Sequence, residues 1–272
     1  MSKVRVISIT NQKGGVGKTT TAINLSAWLA KKGKKVLVID ADQQGNTTSG
    51  LGLEKNEIEN TIYNVMLEEC SLSDVKLVTC VKELEVVPAN IHLTGAEVEL
   101  IGKEDGKYIL KKEIDAIKNN YDFVIIDCPP SLNVITINAL TASDTVLVPI
   151  QCEYFALEGL EQLIHTIYLV QKGLNKQLQL EGIVFTMYDL RTNLSPEVVE
   201  EVKKSIFMLR SDKDNIYHSI LSEDIYYAII PRNVRLGEAP SHGLPIHLYD
   251  PKSKGSESYE LLAEEILEKE WT

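Results

Sequence analysis

A glycine-rich segment over residues 11–20 constrains the fold of this chain more than any other feature. It reads Asn-Gln-Lys-Gly-Gly-Val-Gly-Lys-Thr-Thr and lies between a predicted strand and a predicted helix. The glycines allow consecutive backbone N–H groups to point inward, and the start of the helix adds partial positive charge. In such a loop Lys18 reaches the β- and γ-phosphates of a nucleotide, and the Thr19 hydroxyl binds Mg²⁺. The sequence therefore predicts a phosphate-binding strand–loop–helix unit.

Two residues of this loop depart from the general pattern of phosphate loops. Gln12 occupies the position of the first glycine in G-x-x-x-x-G-K-[ST], and Lys13 adds a second lysine. An ordinary glycine-rich turn with two solvated lysines is the alternative. The glycines, the Gly-Lys-Thr-Thr run and the strand-to-helix position together favour the phosphate loop.

Strand-like runs alternate with segments of helical period along the whole chain. Strands are predicted at residues 4–9, 36–39, 84–88, 123–127, 145–149, 182–187 and 228–230. Such alternation indicates βαβ units, whose strands form a mostly parallel sheet with helices on both faces. We predict an α/β fold with a single doubly wound sheet of about seven to eight strands, as in P-loop NTPases.

The sequence contains no Pro/Gly/Ser-rich linker and no internal repeat, so we predict one domain over residues 1–272. Residues 207–227 are the least regular stretch and mix basic with acidic side chains. They are predicted to form a surface insertion before the strand at 228–230. Since the first strand begins near Val4, no DNA-reading module is expected in front of it.

The overall charge is acidic, with 28 Lys and Arg against 39 Asp and Glu and a formal net charge of −11. For the chain as a whole this argues against a partner as acidic as DNA or an anionic membrane, although it does not say where the charges lie. The four cysteines have neither metal-ligand nor disulfide-scaffold spacing, which is typical of reduced thiols in the cytoplasm. No signal peptide or membrane-spanning segment is expected.

Carboxylates follow two of the predicted strands. Asp127 ends the apolar strand at 123–127, at the edge where open α/β sheets bind ligands, and could hold Mg²⁺ directly or through water. Asp40 and Asp42 follow the strand at 36–39 in the same way. An N-cap or turn role is the alternative for Asp40.

Four segments resemble the motifs of a known family. Residues 13–19 resemble the deviant Walker A motif of the ParA/MinD group of ATPases, and residues 40–46 are similar to its second acidic motif. Residues 125–131 resemble its Walker B motif, and residues 231–241 resemble the C-terminal signature of Soj-type ParA proteins. The resemblance covers nearly the whole chain and implies an ATPase that partitions chromosomal or plasmid DNA.

The resemblance implies an ATP site made of the loop and two residues of the C-terminal signature. The residues are Lys13, Gly14, Gly15, Val16, Gly17, Lys18, Thr19, Thr20, Pro231 and Asn233. The last two would hold the adenine, since an Asn amide offers a paired donor and acceptor. On residue chemistry alone, they could instead form an ordinary turn after a strand.

The resemblance also implies a Mg²⁺-dependent hydrolysis inside an ATP sandwich dimer. Asp42 would position the attacking water, and Lys13 would reach the phosphates bound by the second subunit. The expected catalytic residues are Lys13, Lys18 and Asp42. The expected metal-holding residues are Thr19, Asp40 and Asp127. From the residues alone, a solvated loop lysine is the alternative for Lys13.

The partners implied by the resemblance are nonspecific double-stranded DNA and a ParB-like centromere-binding protein that stimulates hydrolysis. Arg191 and Arg235 match the DNA-binding positions, and the expected location is the nucleoid within the cytoplasm. Isolated basic residues are often merely solvated, which is the alternative for both. The acidic net charge does not exclude DNA, because physiological salt screens charges over about 8 Å, and dimerisation doubles the number of phosphate contacts.

Two other functions fit parts of the sequence. A MinD-like membrane ATPase ends in a basic amphipathic helix, whereas residues 257–271 are strongly acidic, so no membrane partner is expected. The apolar residues of this segment suit a helix packed on the core: Leu261, Leu262, Ile266 and Leu267. A small-molecule enzyme on the same fold would need further catalytic residues, and the five scattered histidines show no ligand spacing. Gly237 departs from the Soj pattern, which usually has serine there, and this bears on DNA affinity.

Overall fold

The computed structural model describes residues 4–100, 102–103 and 105–269. Its centre is one sheet of eight strands. The strands are β1 (Arg5–Ile9), β2 (Val36–Asp40), β3 (Leu77–Val78), β4 (Leu84–Val87), β5 (Phe123–Asp127), β6 (Thr145–Gln151), β7 (Gln179–Tyr188) and β8 (Leu221–Pro231). Their order across the sheet is β3-β4-β2-β5-β1-β6-β7-β8, and every neighbouring pair is parallel except β3 with β4.

The mostly parallel α/β fold predicted from the sequence is confirmed. All seven predicted strands are present, with ends that differ by up to several residues. The eighth strand, β3, was not predicted because it has only two residues, neither of them buried, and so carries no run of apolar positions. All strands belong to one sheet, and the division into a single domain stays a prediction.

Helices cover both faces of the sheet. They are α1 (Lys18–Lys31), α2 (Asn46–Gly50), α3 (Ile62–Met66), α4 (Leu72–Val75), α5 (Leu93–Glu99), α6 (Ile109–Ile117), α7 (Val134–Ala142), α8 (Ala156–Gly173), α9 (Leu194–Ser211), α10 (Val234–Glu238), α11 (Ile246–Tyr249) and α12 (Lys254–Glu268). Short 3₁₀ turns lie at Lys118–Asn120, His218–Ile220 and Ala239–His242.

Three apolar clusters hold these layers together. One packs α1 and α12 against one face of the central strands, and a second packs α3 to α7 against the other face. A third joins β6 and β7 to α8 and α9. Every residue of β1, β2 and β5 is buried, as expected for parallel strands that are covered on both faces. The positions at which these strands end are therefore firmly held.

Helix α1 leads directly away from the glycine-rich loop. Gly17 before it (φ 88°) and Gly33 after it (φ 85°) both adopt left-handed backbone conformations, which glycine tolerates without steric cost. All residues from Thr21 to Ala30 are buried, because the sheet covers one side and α12 covers the other. The helix is thus a core element whose N-terminus is aligned with the loop.

The structure corrects the surface insertion that was predicted at residues 207–227. Helix α9 continues to Ser211 and β8 begins at Leu221, so only residues 212–220 form the connection between them. Ile220 and Tyr226 are buried, although charged residues lie around them in the sequence. Exposed apolar residues at the end of α9 (Phe207 and Met208) and a charged residue at the start of β8 (Asp224) obscured the helical and strand patterns there.

The acidic C-terminal segment forms α12, which packs on the core as predicted. Leu262 and Ile266 are buried, whereas Leu261, also predicted to face the core, is largely exposed. Tyr259 is completely buried and has the largest side chain among the fully buried residues of the helix. The end of the predicted segment, residues 270–271, lies outside the described residues. None of the helices in the described part of the chain combines the length and apolar character needed to cross a bilayer.

Candidate nucleotide-binding site

The predicted phosphate-loop residues and carboxylates converge where three adjacent strands end. Ile9 of β1 is in register with Asp127 of β5, and Asp127 is in register with Asp40 of β2. The glycine-rich loop follows β1 and therefore lies directly beside both carboxylates. This is the carboxyl edge of the sheet, where open α/β folds bind their ligands.

The loop is held in shape from the neighbouring strand β6. Asn11 donates from Nδ2 to the Pro149 carbonyl (2.8 Å), and its Oδ1 accepts from the Lys13 backbone N–H (3.0 Å). Gly15 has φ 75°, and Gly14 and Gly15 have open space where a Cβ would stand. A Cβ on Gly17 would approach Thr186 Cγ2 to 3.2 Å. The glycines thus give an open concave backbone that a phosphate can approach closely.

Lys18 lies folded over this loop. Its Nζ donates to the Lys13 carbonyl at 3.0 Å, and the residue is only 6% exposed. Burial lowers the pKa of Lys18, and the nearby Asp127 opposes that shift. A buried cation in a preformed loop is well placed to meet an oxyanion.

Asp127 has one satisfied and one unsatisfied oxygen. Its Oδ2 accepts from the hydroxyls of Thr19 and Thr47, each at 2.8 Å, whereas its buried Oδ1 has no hydrogen-bond partner. Burial raises the pKa of the Asp127 carboxyl, and the neighbouring Asp40 adds to the shift. A buried oxygen without a partner is costly, and a cation is one way to supply the partner.

Thr19 and Asp127 therefore fit Mg²⁺. No group of three His, Cys, Asp or Glu side chains that could hold a metal occurs in the described ranges. A metal here would need phosphate and water oxygens as further ligands, which is how Mg²⁺ is usually bound. This edge therefore suits a metal that arrives with a nucleotide.

Asp40, by contrast, is fully engaged by protein groups. Its Oδ2 accepts from the backbone N–H (2.8 Å) and hydroxyl (2.7 Å) of Thr48, and its Oδ1 accepts from the Asp42 N–H (3.3 Å). Thr48 in turn accepts from the Ala89 N–H at 2.9 Å. The geometry favours a structural role for Asp40, in which it fixes Thr48 of α2, over a role in holding the metal.

Asp42 lies at the start of the turn that leads into α2. It is buried, and its Oδ1 accepts from the Gln44 backbone N–H at 2.9 Å. The turn closes through a hydrogen bond from the Gly45 N–H to the Asp42 carbonyl (2.9 Å). Asp42 is thus held at the same edge as Asp127, and its role in positioning water stays a prediction.

The Lys13 side chain forms an ion pair with Glu153, which follows β6. About half of each side chain is exposed. Beside this pair, Tyr154 and Phe155 are also exposed, with their rings edge to face at 5.1 Å. The lysine is therefore not simply solvated, and its partner Glu153 was not found from the sequence.

A cavity of about 450 Å³ lies on the other side of the loop. Its lining includes Gly17, Thr20, Thr186, Pro231 and Asn233. The predicted adenine-binding residues are thus in one cavity with the end of the phosphate loop. Asn233 also caps α10, since its Oδ1 accepts from the Arg235 N–H (2.8 Å), which leaves its amide N–H groups available.

Thr47 and Thr186 are site residues that sequence reasoning missed. Thr47 holds Asp127, and its only signal was its place just after the second acidic motif. Thr186 donates to the Val16 carbonyl at 2.8 Å and so joins β7 to the phosphate loop. It lies inside a predicted strand, where nothing in the local sequence distinguishes it.

The two arginines predicted to bind DNA follow other strands than the carboxylates of the candidate nucleotide site. Arg191 follows β7, with a side chain 83% exposed, and is paired with Asp189. Arg235 lies in α10, with a side chain 54% exposed, and is paired with Glu238 (2.7 Å) and Asp250 (3.6 Å). Both arginines are accessible, and both already have carboxylate partners.

Comparison with known proteins gives one consistent result. A family model described as an AAA domain matches residues 4–180. Sporulation initiation inhibitor protein Soj of Bacillus subtilis (strain 168) is 53% identical over 262 residues, which cover 96% of this chain and 98% of Soj. Chromosome partitioning protein ParA of Myxococcus xanthus (strain DK1622) is 48% identical over 266 residues, covering 98% of this chain and 89% of that protein.

Among solved structures, cobyrinic acid a,c-diamide synthase from Mycobacterium smegmatis, with a bound ATP analog and magnesium, has a TM-score of 0.81 and 35% identity. The match covers 97% of this chain and 94% of that one. High identity to the partitioning proteins extends over almost the full length, well beyond the nucleotide-binding motifs. The chain belongs to the Soj/ParA family of chromosome-partitioning ATPases.

Proposed function

We propose that this chain is a DNA-partitioning ATPase that binds Mg·ATP, dimerises around it and then binds double-stranded DNA without sequence preference. Hydrolysis, stimulated by a ParB-like partner, releases it from DNA. The observation that carries the proposal is the convergence of Lys18, Thr19 and the unpartnered Asp127 oxygen at the phosphate loop. The proposed location is the nucleoid within the cytoplasm.

The chemistry of the site suits phosphoryl transfer, in which catalysis is mainly positioning and electrostatic stabilisation. Lys18 and the inward N–H groups of the loop bind the β- and γ-phosphate oxygens. Thr19 and Asp127 are the groups that would hold Mg²⁺, which would supply positive charge to stabilise the phosphates. The base and ribose occupy the cavity lined by Pro231 and Asn233.

Asp42 is the group proposed to orient the attacking water. It is a carboxylate fixed by the Gln44 N–H at the edge that also holds Asp127. An oriented carboxylate of this kind contributes about 10²–10⁴-fold to a rate by positioning and proton transfer. Loss of Asp42 should therefore stop turnover while leaving the phosphate contacts in place.

The proposed dimer is supported by the surface around Lys13. Tyr154 and Phe155 are exposed beside its partner Glu153, and large exposed aromatic side chains commonly mark an interface. A second subunit on this surface would take Lys13 away from Glu153 and bring it to the other nucleotide. Because each Lys13 reaches the nucleotide of the other subunit, the proposed dimer requires ATP in both subunits.

DNA co-sedimentation with ATP, with ADP and without nucleotide tests the proposal. The wild type should bind DNA only with ATP, and Asp42→Ala should bind at least as well because it stays in the ATP state. Arg235→Ala should bind less. Arg210→Ala is a matched control, since Arg210 lies near the far end of α9, about 25 Å along the helix from the carboxyl edge.

Equal DNA binding in all three nucleotide states would overturn the proposed switch. The second candidate function is a small-molecule enzyme, which the likeness to cobyrinic acid a,c-diamide synthase supports. It predicts ATP turnover without DNA binding in any state. Binding to anionic vesicles in place of DNA would support a membrane-associated ATPase.

A further inference from the structure

The two DNA-facing arginines are engaged by carboxylates of the same chain. We propose that Asp189 and Glu238 occupy the guanidinium groups of Arg191 and Arg235 in the free protein, and that DNA phosphates must displace them. The two carboxylates then act as internal competitors that set the threshold for DNA binding. This inference rests on the proposed function, because it concerns the same DNA surface.

Arg191 binds Asp189 through the same two-pronged contact with which a guanidinium group binds a phosphate. Arg191 donates from Nε to Asp189 Oδ1 (2.8 Å) and from Nη2 to Asp189 Oδ2 (2.6 Å). Such two-pronged contacts are how guanidinium groups bind both carboxylates and phosphates. Hydrogen bonds from Arg191 hold the pKa of the Asp189 carboxyl far below its ordinary value, so the competitor is charged at any physiological pH.

Arg235 is held from two sides. Its Nη1 donates to Glu238 Oε2 (2.7 Å), and its Nε lies 3.6 Å from Asp250 Oδ2. Glu238 is itself fixed by the Tyr249 hydroxyl, which donates to Oε2 at 3.2 Å. The carboxylate is therefore oriented toward the arginine before any ligand arrives.

Both pairs lie at one end of the sheet. Tyr188 at the end of β7 is in register with Pro231 at the end of β8, and the Arg232 N–H donates to the Tyr188 carbonyl (3.0 Å). Arg232 is close enough to Asp189 to lower the pKa of that carboxyl further. We call the surface formed by the arginines at positions 191, 232 and 235 and the carboxylates at positions 189, 238 and 250 the arginine edge. Sequence reasoning did not identify its third arginine, Arg232.

The arginine edge carries no net charge in the free chain. Three arginines, at positions 191, 232 and 235, are balanced by three carboxylates at positions 189, 238 and 250. A neutral patch on a chain of net charge −11 gives DNA no long-range attraction. Binding must then come from the exchange of carboxylates for phosphates at short range. The free energy of this exchange is close to zero at one site, and the exchange is favoured when a dimer presents several sites together.

The test measures DNA affinity of the ATP-bound protein over a range of salt concentrations, for the wild type, Asp189→Asn and Glu238→Gln. Each variant keeps an amide oxygen as acceptor but loses the charge. Each should bind DNA about two- to fivefold more tightly, a size typical of one exposed ion pair, and the double variant about tenfold. Glu257→Gln is the control, because it removes the carboxylate of another exposed ion pair, with Lys254 on α12.

A double-substitution cycle separates competition from a general change of charge. In an Arg191→Ala background, Asp189→Asn should lose most of its gain, because its main partner is absent and only the weaker interaction of Asp189 with Arg232 remains. Thermal melting checks that all variants are folded, and binding of a fluorescent ATP analogue checks that they are loaded. A gain that is undiminished without Arg191, or an equal gain in Glu257→Gln, would overturn the proposal.

The remaining outcomes distinguish this inference from the proposed function. If the wild type binds DNA with ATP and the Asp189 and Glu238 variants bind equally, the competitor role is wrong and the DNA function stands. If the wild type binds poorly and Asp189→Asn binds well, the competitor role is supported strongly. If no variant binds DNA while ATP is bound, the proposed DNA function fails, and the inference fails with it.

Discussion

Charged groups at two places along the carboxyl edge, its middle and the end beside β7 and β8, are held in opposite ways. Beside β1, β2 and β5 the charges are buried and are held mainly by neutral donors and acceptors: Lys18 by a backbone carbonyl, and Asp127 by two threonine hydroxyls. At the arginine edge beside β7 and β8 the charges are exposed and are held by opposite charges. The two regions lie on one sheet and differ in solvent access and in the type of partner.

This difference separates a fixed site from an exchangeable one. A buried charge held by neutral dipoles gains much from an arriving counter-charge, and the groups around it need little rearrangement. An exposed ion pair is worth little and exchanges readily for another ion. The phosphate loop should therefore respond sharply to single substitutions, and the arginine edge should respond gradually and depend on salt.

The largest effect of a single substitution is expected at the buried phosphate loop. Lys18→Ala removes the cation of the phosphate loop and should weaken ATP binding by about 10²-fold or more, as when one partner of a buried charge pair is lost. Titration with a fluorescent ATP analogue measures this. Lys34→Ala, which removes a lysine beyond the other end of α1, should leave the affinity unchanged. A loss below tenfold would contradict the preformed site.

A buried titratable group that belongs to neither region shows whether burial alone makes folding stability depend on pH. His247 packs on Trp28, and burial lowers its pKa to about 4, with a further contribution from Lys31. The unfolded chain binds this proton near pH 6.5, so folding stability contributed by the neutral ring is present above that pH. It is lost as the pH falls from about 6.5 to about 4, by up to about 3 kcal/mol.

Urea unfolding at several pH values tests this expectation against His247→Gln. The variant should lose less stability between pH 6.5 and 4 than the wild type. His92→Gln, at an exposed histidine, should behave as the wild type. Identical pH profiles for wild type and His247→Gln would show that burial of this ring is not maintained in solution.

Loss of the hydrogen bond between Thr186 of β7 and the phosphate loop should have an intermediate effect on ATP affinity. Thr186→Val keeps the shape of the side chain but removes the hydroxyl that binds the Val16 carbonyl. ATP affinity should fall about fivefold, since the loop loses one hydrogen bond of about 1 kcal/mol. Calorimetric titration measures it, with Thr141→Val on α7 as the control. If both variants bind ATP equally, Thr186 does not shape the loop.

The smallest effect is expected for the exposed pair at Lys13. Glu153→Gln frees Lys13 in the monomer and should lower the ATP concentration needed for dimerisation about two- to threefold, because half-exposed ion pairs contribute little. Size-exclusion chromatography with light scattering measures the dimer fraction. Glu158→Gln, an exposed acid on α8, should have no effect. A fall in dimer fraction would mean that Glu153 belongs to the dimer contact itself.

Much of the fold and of the phosphate site followed from local patterns. The seven longer strands were predicted because buried parallel strands are nearly continuous apolar runs, as in β2 and β5. The loop, Lys18, Thr19 and Asp127 were predicted because their chemistry requires fixed spacing along the chain. The end of α9 was missed because Phe207 and Met208 are apolar but exposed, which breaks the helical pattern, and the start of β8 was missed because the charged Asp224 interrupts its apolar run.

Contacts between distant segments could not be predicted in the same way. Glu153 is 140 residues from Lys13, and Thr186 is 170 residues from Val16. Neither belongs to a motif, so only the order of strands in the sheet brings each to its partner. Asp40 was given a metal role by resemblance, whereas its oxygens are used by Thr48 and the Asp42 N–H.

The sequence by itself determined the class of fold, the phosphate loop and the family, because these depend on residue types at short fixed spacings. The tertiary structure decided which charged groups are buried and which are paired: the open oxygen of Asp127, the closed shell of Asp40 and the carboxylates on Arg191 and Arg235. The physical reason is that burial and ion pairing depend on three-dimensional neighbours, and strands that are adjacent in the sheet are far apart along the chain.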